Sequence, residues 1–221
     1  MSLITYKYIK ENEEIQTYIK QADKTLEELG YTEHSFAHVG IVSQNAGMIL
    51  EKLGYPERMV ELAKIAGYMH DIGNVVNRIN HALSGANMAF RLLDKINVPP
   101  EEIAQIISAI GHHDEGTAQP LSPMSAAIII ADKTDVRRSR VRNTDLITFD
   151  IHDRVNYAAE KSSLYLNEDN TALIMDLTID TDISSVMEYF EIFLDRMLLC
   201  KRSAMYLGVK FKFIINGLKM M

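Results

Sequence analysis

A chain of 221 residues, 47% of them hydrophobic, is long enough for one large domain or one domain with an appendage, and too apolar to remain disordered. Its net charge of −7 argues against a nucleic-acid coat or a membrane-surface anchor, both of which need a basic excess. A single cysteine, Cys200, leaves no disulfide framework and no cysteine-type zinc site. The N-terminal MSLITYKYIKENEEIQ lacks the basic start and apolar core of a secretory signal, and no apolar run reaches membrane-span length, so a reduced cytoplasmic setting is expected.

The first two-thirds reads as helices. Residues 6–29 carry apolar positions at Ile9, Ile15, Tyr18, Ile19, Ala22, Leu26 and Leu29 and stop at Gly30. Residues 35–53 repeat the pattern and stop at Gly54. Pro56 opens the next helix, which carries Val60, Leu62, Ala63, Ile65, Ala66 and Met69 and ends in His70-Asp71. A further helix covers 79–96. Pro99-Pro100 open another, which runs to Gly111, and Ser122-Pro123 start the apolar stretch MSAAIIIADKTDV. Short connections between helices predict a compact bundle. The pattern then changes. Residues 157–166 and 171–179 lean towards strands around the turn 167–170, which predicts a hairpin; residues 183–207 are helical, and 209–215 alternate as a terminal strand able to join the hairpin. The expected fold is mainly α, a helical core over 1–144 followed by a C-terminal hairpin, helix and strand over 145–221.

Along this chain runs a trail of metal-ligand side chains: His38, His70-Asp71, His81, His112-His113 and Asp132. Imidazole and carboxylate together suit a divalent or ferrous ion with open water positions. His70-Asp71 sits at a helix end, where adjacent side chains can face one point. His38 and Asp132 fall on helices whose apolar neighbours predict burial, and buried polar groups need partners.

The ordered segments His38-Val39-Gly40-Ile41-Val42, YMHDIGN, HALSGA, HHDEGT and IIIADKTD resemble the HD superfamily of metal-dependent phosphohydrolases, over roughly residues 31–141. The resemblance implies an HD-domain helical bundle in which His38, His70, Asp71 and Asp132 bind a first metal. His81, His112 and His113 resemble the second-metal ligands of the dinuclear branch that includes the HD-GYP phosphodiesterases, with Asp71 bridging. The chain departs from HD-GYP proteins: Asn74 replaces the usual lysine, GTAQP stands where the GYP element would follow, and Asp71 to His81 is a short connection. The implied chemistry is attack of a metal-bound hydroxide on a phosphate mono- or diester of a nucleotide or small phosphorylated metabolite. The ligand types do not distinguish Fe, Mn, Mg, Co, Ni or Zn. Di-iron HD oxygenases share the same ordered ligands, and a non-catalytic regulatory module is the third reading.

Around this set, Lys133 and Arg137 are the first candidates for stabilising charge on the phosphate, with Asp71 as the central catalytic carboxylate. Arg137, Arg138, Arg140 and Arg142 form either a phosphate-binding cluster or a solvated helix end. Asp135, one turn past Asp132, is placed to orient a histidine, and His34 to support an extra metal or make ordinary hydrogen bonds. Asp114 and Glu115 read as surface loop, Arg78 as a weak substrate contact and His152 as structural. The Met residues at 48, 59, 69, 88, 124 and 197 fill core space, and Gly73 and Gly111 let the chain turn. Expected partners are a small phosphorylated substrate, with no membrane and no nucleic-acid duplex. The C-terminal strands either shape the pocket or pair across a homodimer.

Overall fold

A computed structural model describes residues 4–143 and 149–221; the expected 144/145 boundary lies outside the described residues. The helices are α1 (Tyr6–Glu11), α2 (Glu13–Glu28), α3 (Phe36–Lys52), α4 (Glu57–Met69), α5 (His81–Lys95), α6 (Pro100–Gly111), α7 (Pro123–Lys133), α8 (Ile151–Ala158) and α9 (Val186–Tyr206). Short 3-10 turns cover Ile72–Val75 and Arg138–Arg140. The strands are β1 (Ala159–Leu166), β2 (Ala172–Ile179), β3 (Lys210–Ile215) and β4 (Leu218–Lys219). The protein is thus mainly α with one small sheet near its C-terminus.

Helix α7 is the axis of the helical part. Every residue from Met124 to Ala131 is buried, as expected of a helix apolar on all faces. Helices α3, α4, α6 and α9 pack around it. Ser122 caps its first turn through a reciprocal bond with Ser125. α3 and α4 cross closely because residue 67 is glycine: a Cβ there would meet the Ser43 Cα at 3.0 Å. That approach brings the start of α3, with His38, beside the end of α4, with His70.

In the sheet, strand order is β1-β2-β3-β4. The hairpin β1-β2 is antiparallel, and β3 joins β2 in parallel register, Ala172 opposite Lys210 and Leu177 opposite Ile215. Helix α9 is the crossover that a parallel pair requires. Its Tyr189 and Phe190 pack over Phe213, with ring centroids 5.3 and 6.0 Å away.

Four boundaries differ from the sequence reading. The first helix breaks at Asn12, whose side chain leaves helical geometry to accept from the Glu14 and Ile15 amides and start α2. α5 begins at His81 rather than Ile79, because Asn80 adopts φ 60. Tyr157 is helical, not the first strand residue: Asp150 caps α8 through the Asp153 amide, and β1 starts only at Ala159. β4 was not expected, although Asn216-Gly217 supplies the two positive φ angles of a tight hairpin turn.

The turn after His70-Asp71 depends on Gly73. A Cβ there would lie 2.0 Å from the His81 carbonyl oxygen and 2.4 Å from the Gly85 amide nitrogen, both backbone atoms that cannot swing away. Gly73→Ala should therefore destabilise the fold by about 1–3 kcal/mol, as overpacking does. Chemical unfolding of the purified variant reads this directly, and an unchanged midpoint would contradict the close approach.

Candidate metal centre

Five separated stretches deliver the polar residues to one place. His38 lies in the first turn of α3; His70 ends α4 and Asp71 follows; His81 opens α5; His113 follows the end of α6; Asp132 lies in the last turn of α7. Helix ends dominate because there the chain can aim a side chain past its own backbone. All of these except Asp132 are buried to within 5% exposure, and only 13% of the Asp132 side chain is accessible.

Distances within the group are those of shared ligands rather than of hydrogen bonds. His38 Nε2 stands 3.5 Å from Asp71 Oδ2 and 3.4 Å from Asp132 Oδ1. His70 Nε2 stands 3.3 and 3.8 Å from the same two oxygens. The other oxygen of Asp71, Oδ1, lies 3.4 Å from His81 Nε2 and 3.8 Å from His113 Nε2, and these two nitrogens are 3.2 Å apart. Donors bonded to one ion at about 2.1 Å sit roughly 3.0–3.4 Å from each other, so this spacing fits ligation. Three overlapping donor groups result: His38-His70-Asp71, His70-His113-Asp132 and Asp71-His81-His113.

The outer nitrogens explain why the inner ones are available. His38 Nδ1 donates to Asp135 Oδ2 at 2.7 Å, His70 Nδ1 to the Gly67 carbonyl at 2.8 Å, His113 Nδ1 to the Ile110 carbonyl at 2.6 Å and His81 Nδ1 to the Arg78 carbonyl at 3.0 Å. With each Nδ1 protonated and held, each Nε2 presents a lone pair inward, as second partners of metal-bound histidines do. The Nε2 atoms of His38 and His70 are buried with no hydrogen-bond partner. Buried polar atoms left in that state are costly, and a divalent cation satisfies them.

Electrostatics point the same way. Burial and Arg140 disfavour charge on His38, but Asp132, Asp135 and Asp71 outweigh them and raise its pKa to about 10. Burial opposes ionisation of Asp71, yet His70 and the contacts from His113 and His38 hold its carboxyl well below the ordinary range. Asp132 is held low against burial by Lys133 and the histidines. Burial, helped by His113 and Arg78, lowers His81 to about 4, leaving a neutral ligand. The pocket is therefore a carboxylate-rich cage that requires positive charge.

Asp135 is braced. Arg137 Nε donates to its Oδ1 at 2.9 Å, and Arg140 donates to its backbone carbonyl at 2.8 Å. Glu33 ties both arginines: it accepts from Arg137 at 2.7 Å through its side chain and from Arg140 at 2.9 Å through its carbonyl. Asn74 braces Asp71 in turn, donating to its carbonyl at 2.9 Å and to Oδ1 at 3.0 Å.

A cleft of about 390 Å³ opens over the group. Asp71, His81, His113, Asp132 and Lys133 form its floor, with His34, Arg78 and Arg140 beside them. Lys133 Nζ is 2.7 Å from Asp132 Oδ2 and 3.6 Å from Glu115, which also holds Arg196 Nε at 2.6 Å. The far wall comes from α8 and α9: His152, Asp153, Asn156, Phe193 and Arg196. The expectation that the hairpin and terminal strand shape the pocket is corrected, since no strand residue lines it among the described residues. Sequence reasoning missed Phe193, Arg196 and Asn156, and took His152 as structural; no local motif marks them.

Two further expectations change. Arg137 does not line the cleft; Asp135 and Glu33 engage its guanidinium behind His38. His112 stands outside every donor group; its Nδ1 faces the Ser108 carbonyl at 2.8 Å and its side chain is only partly buried. His34 lines the cleft with its Nδ1 on the Thr32 carbonyl at 2.7 Å and joins no donor group; burial and Arg140 keep it neutral.

Asp135→Asn should weaken divalent-metal affinity about 10–100-fold while leaving the fold intact. Metal titration with circular dichroism as the folding control checks this, and unchanged affinity would remove Asp135 from the site. A raised His38 pKa also sets a sign. Without a cation the protonated form is the stabilising one, and that stabilisation fades as pH climbs from the ordinary value of 6.5 through about 10. A cation must displace this proton, so its affinity should rise by about tenfold per pH unit between pH 7 and 9. Calorimetry in buffers of different ionisation enthalpy should register proton release; pH-independent binding would refute it.

Comparison with known proteins finds likenesses to this part of the chain. Residues 35–137 match the family model described as HD domain. An uncharacterized protein of Methanocaldococcus jannaschii is 29% identical over 159 residues, which cover 62% of this chain and 61% of that one. Ribonuclease Y of Petrotoga mobilis is 29% identical over 164 residues, covering 63% of this chain and 29% of that protein. The chain thus spans less than two thirds of either relative's length. Among solved structures, a predicted HD superfamily hydrolase from an uncultured Thermotogales bacterium is 24% identical, with a TM-score of 0.44 over 56% of this chain and 67% of its own. The match runs from just before His38 to just beyond Asp135 and encloses all the donors described above: residues 35–137 of this chain carry an HD domain.

Proposed function

We propose that this protein is a metal-dependent phosphohydrolase that uses two divalent ions to hydrolyse a phosphate ester of a nucleotide or another small phosphorylated metabolite. One observation carries the reading. The two oxygens of Asp71 face two different histidine sets, Oδ2 towards His38 and His70, Oδ1 towards His81 and His113. A carboxylate so placed suits the bridge of a dinuclear site, with His38, His70, Asp71 and Asp132 on one side and Asp71, His81 and His113 on the other. Ions held there supply neutralisation of phosphate charge and a lowered pKa for water.

The chain's own residues do the rest. Asp135 and the three carbonyls fix the imidazole tautomers, so the donor lone pairs are set before substrate arrives. Lys133, held between Asp132 and Glu115, directs an ammonium into the cleft where it can meet phosphate or leaving-group charge. Arg78 lies 5.5 Å above the Tyr31 ring at the cleft edge and offers a second cation. Phe193 packs under Arg196, 4.4 Å from the ring centroid, and holds that guanidinium at the cleft wall, where it offers a further cation. The cleft volume is that of a small-molecule site. The likeness to a ribonuclease supports phosphorus–oxygen cleavage, while the net charge of −7 favours a small ester over a polymer.

Elemental analysis of anaerobically purified protein, paired with a phosphoester panel, tests the proposal. About two metals per chain with phosphate release are expected, and Asp71→Asn should lower turnover by at least about a hundredfold. Two irons with oxygen uptake and no phosphate release would instead indicate an oxygenase. No metal and no turnover would indicate a regulatory module.

A further inference from the structure

Helix α9 has a face that none of the described residues covers. Met187, Leu194, Leu198 and Met205 are 74%, 45%, 42% and 66% exposed, an unusual density of large apolar side chains on one helix. They are not scattered. With Glu191 and Lys201, both exposed, they form the series Met187, Glu191, Leu194, Leu198, Lys201, Met205, at intervals of four, three, four, three and four residues. This is the a/d seam of a helix that pairs with another helix.

Read backwards, the series repeats itself with its two charges exchanged: methionine, acid, leucine, leucine, base, methionine becomes methionine, base, leucine, leucine, acid, methionine. Laid antiparallel against a copy of itself, Met187 meets Met205, Leu194 meets Leu198, and Glu191 meets Lys201. Parallel pairing would set acid on acid and base on base. Among the described residues neither Glu191 nor Lys201 has an ion-pair partner within its own chain. Asp195 and Arg202 extend the same segregation, acid in the first half of the exposed face and base in the second. Charges that merely answer the helix dipole would sit in the terminal turns and would not bring an apolar stripe with them. We propose that this face is the two-fold interface of a homodimer, formed by antiparallel packing of α9 on α9 of a second copy.

A two-fold contact uses the same patch on both copies, which a self-complementary seam satisfies. From Met187 to Met205 the seam runs about 27 Å at the helical rise. Tyr206 and Leu121, exposed by 47% and 53% and joined by a hydrogen bond of 3.0 Å, extend the apolar area at both ends of the pair. The dyad falls beside residue 196. Arg196 is two and a half turns from Met187, so its side chain leaves the opposite side of the helix and reaches the cleft. The interface therefore leaves the cleft open.

Sedimentation of the full chain over a concentration series tests the proposal. A reversible dimer is expected. Leu194→Glu should weaken it at least about tenfold, since each substitution occurs twice per interface and places charge against Leu198. Glu191→Lys should weaken it as well, and the double exchange Glu191→Lys with Lys201→Glu should restore it. All three positions are exposed, so circular dichroism should be unchanged. A monomer at every concentration would overturn the proposal, as would a dimer indifferent to Leu194→Glu or a double exchange that fails to recover.

Discussion

The structure turns on buried charge that the protein cannot neutralise alone. Asp71 and Asp132 face four imidazoles, and the inner nitrogens of two of them, His38 and His70, have no hydrogen-bond partner. Left as they stand, the carboxylates would carry a heavy desolvation cost. A proton on His38 relieves part of it, which is why that histidine is driven so far above its ordinary value. A divalent cation relieves more, since it satisfies several donors at once and lets the histidines return to neutrality. Folding and metal loading are thereby linked: any ion that binds only the folded arrangement stabilises it by mass action.

That demand shapes parts of the chain far from the centre. Glycine at 67 lets α3 and α4 approach; glycine at 73 lets the turn after Asp71 lie against the start of α5, where His81 begins. Arg137 is engaged by Asp135 and Glu33 behind His38. A guanidinium with two carboxylates already engaged has little left for a phosphate, and its burial is tolerated only because of those partners. The floor of the cleft is thus rigid by construction, and recognition falls to side chains around the rim.

How much of this was legible in the sequence depended on whether the signal was local. Helices with a 3.6-residue apolar period were read correctly, and so was the wholly apolar α7. The hairpin and terminal strand were also visible, because strands advertise themselves over a few residues. A one-residue cap such as Asn12 or Asp150 changes the path without altering the periodicity around it. The ordered donors could be found because the residue types are costly to bury. Their convergence could not be seen in detail: His112 and His113 are neighbours at a helix end, where successive side chains diverge by about 100°, and only His113 meets Asp71. The partners of Arg137 were hidden for a related reason. Nothing near it in sequence shows that Glu33, more than a hundred residues earlier, will take it.

The cleft wall illustrates the remaining gap and also a division of labour. The donors lie on helices from the first two-thirds of the chain, whereas Phe193, Arg196 and Asn156 reach the cleft from α8 and α9. Wall and floor meet where α9 packs against α7 and through the Glu115 bridge between Lys133 and Arg196, so changes at the cleft-facing tips of the wall can alter which molecule fits while the donors stay on their own elements. Helix α9 then has two jobs on opposite sides: one face closes the cleft, and the other carries the symmetric seam. A helix held by a second copy has less freedom to tilt, so Arg196 and Phe193 would keep a fixed distance from the donors. Association and selectivity would then rest on the same 21-residue element, with no segment needed to connect them.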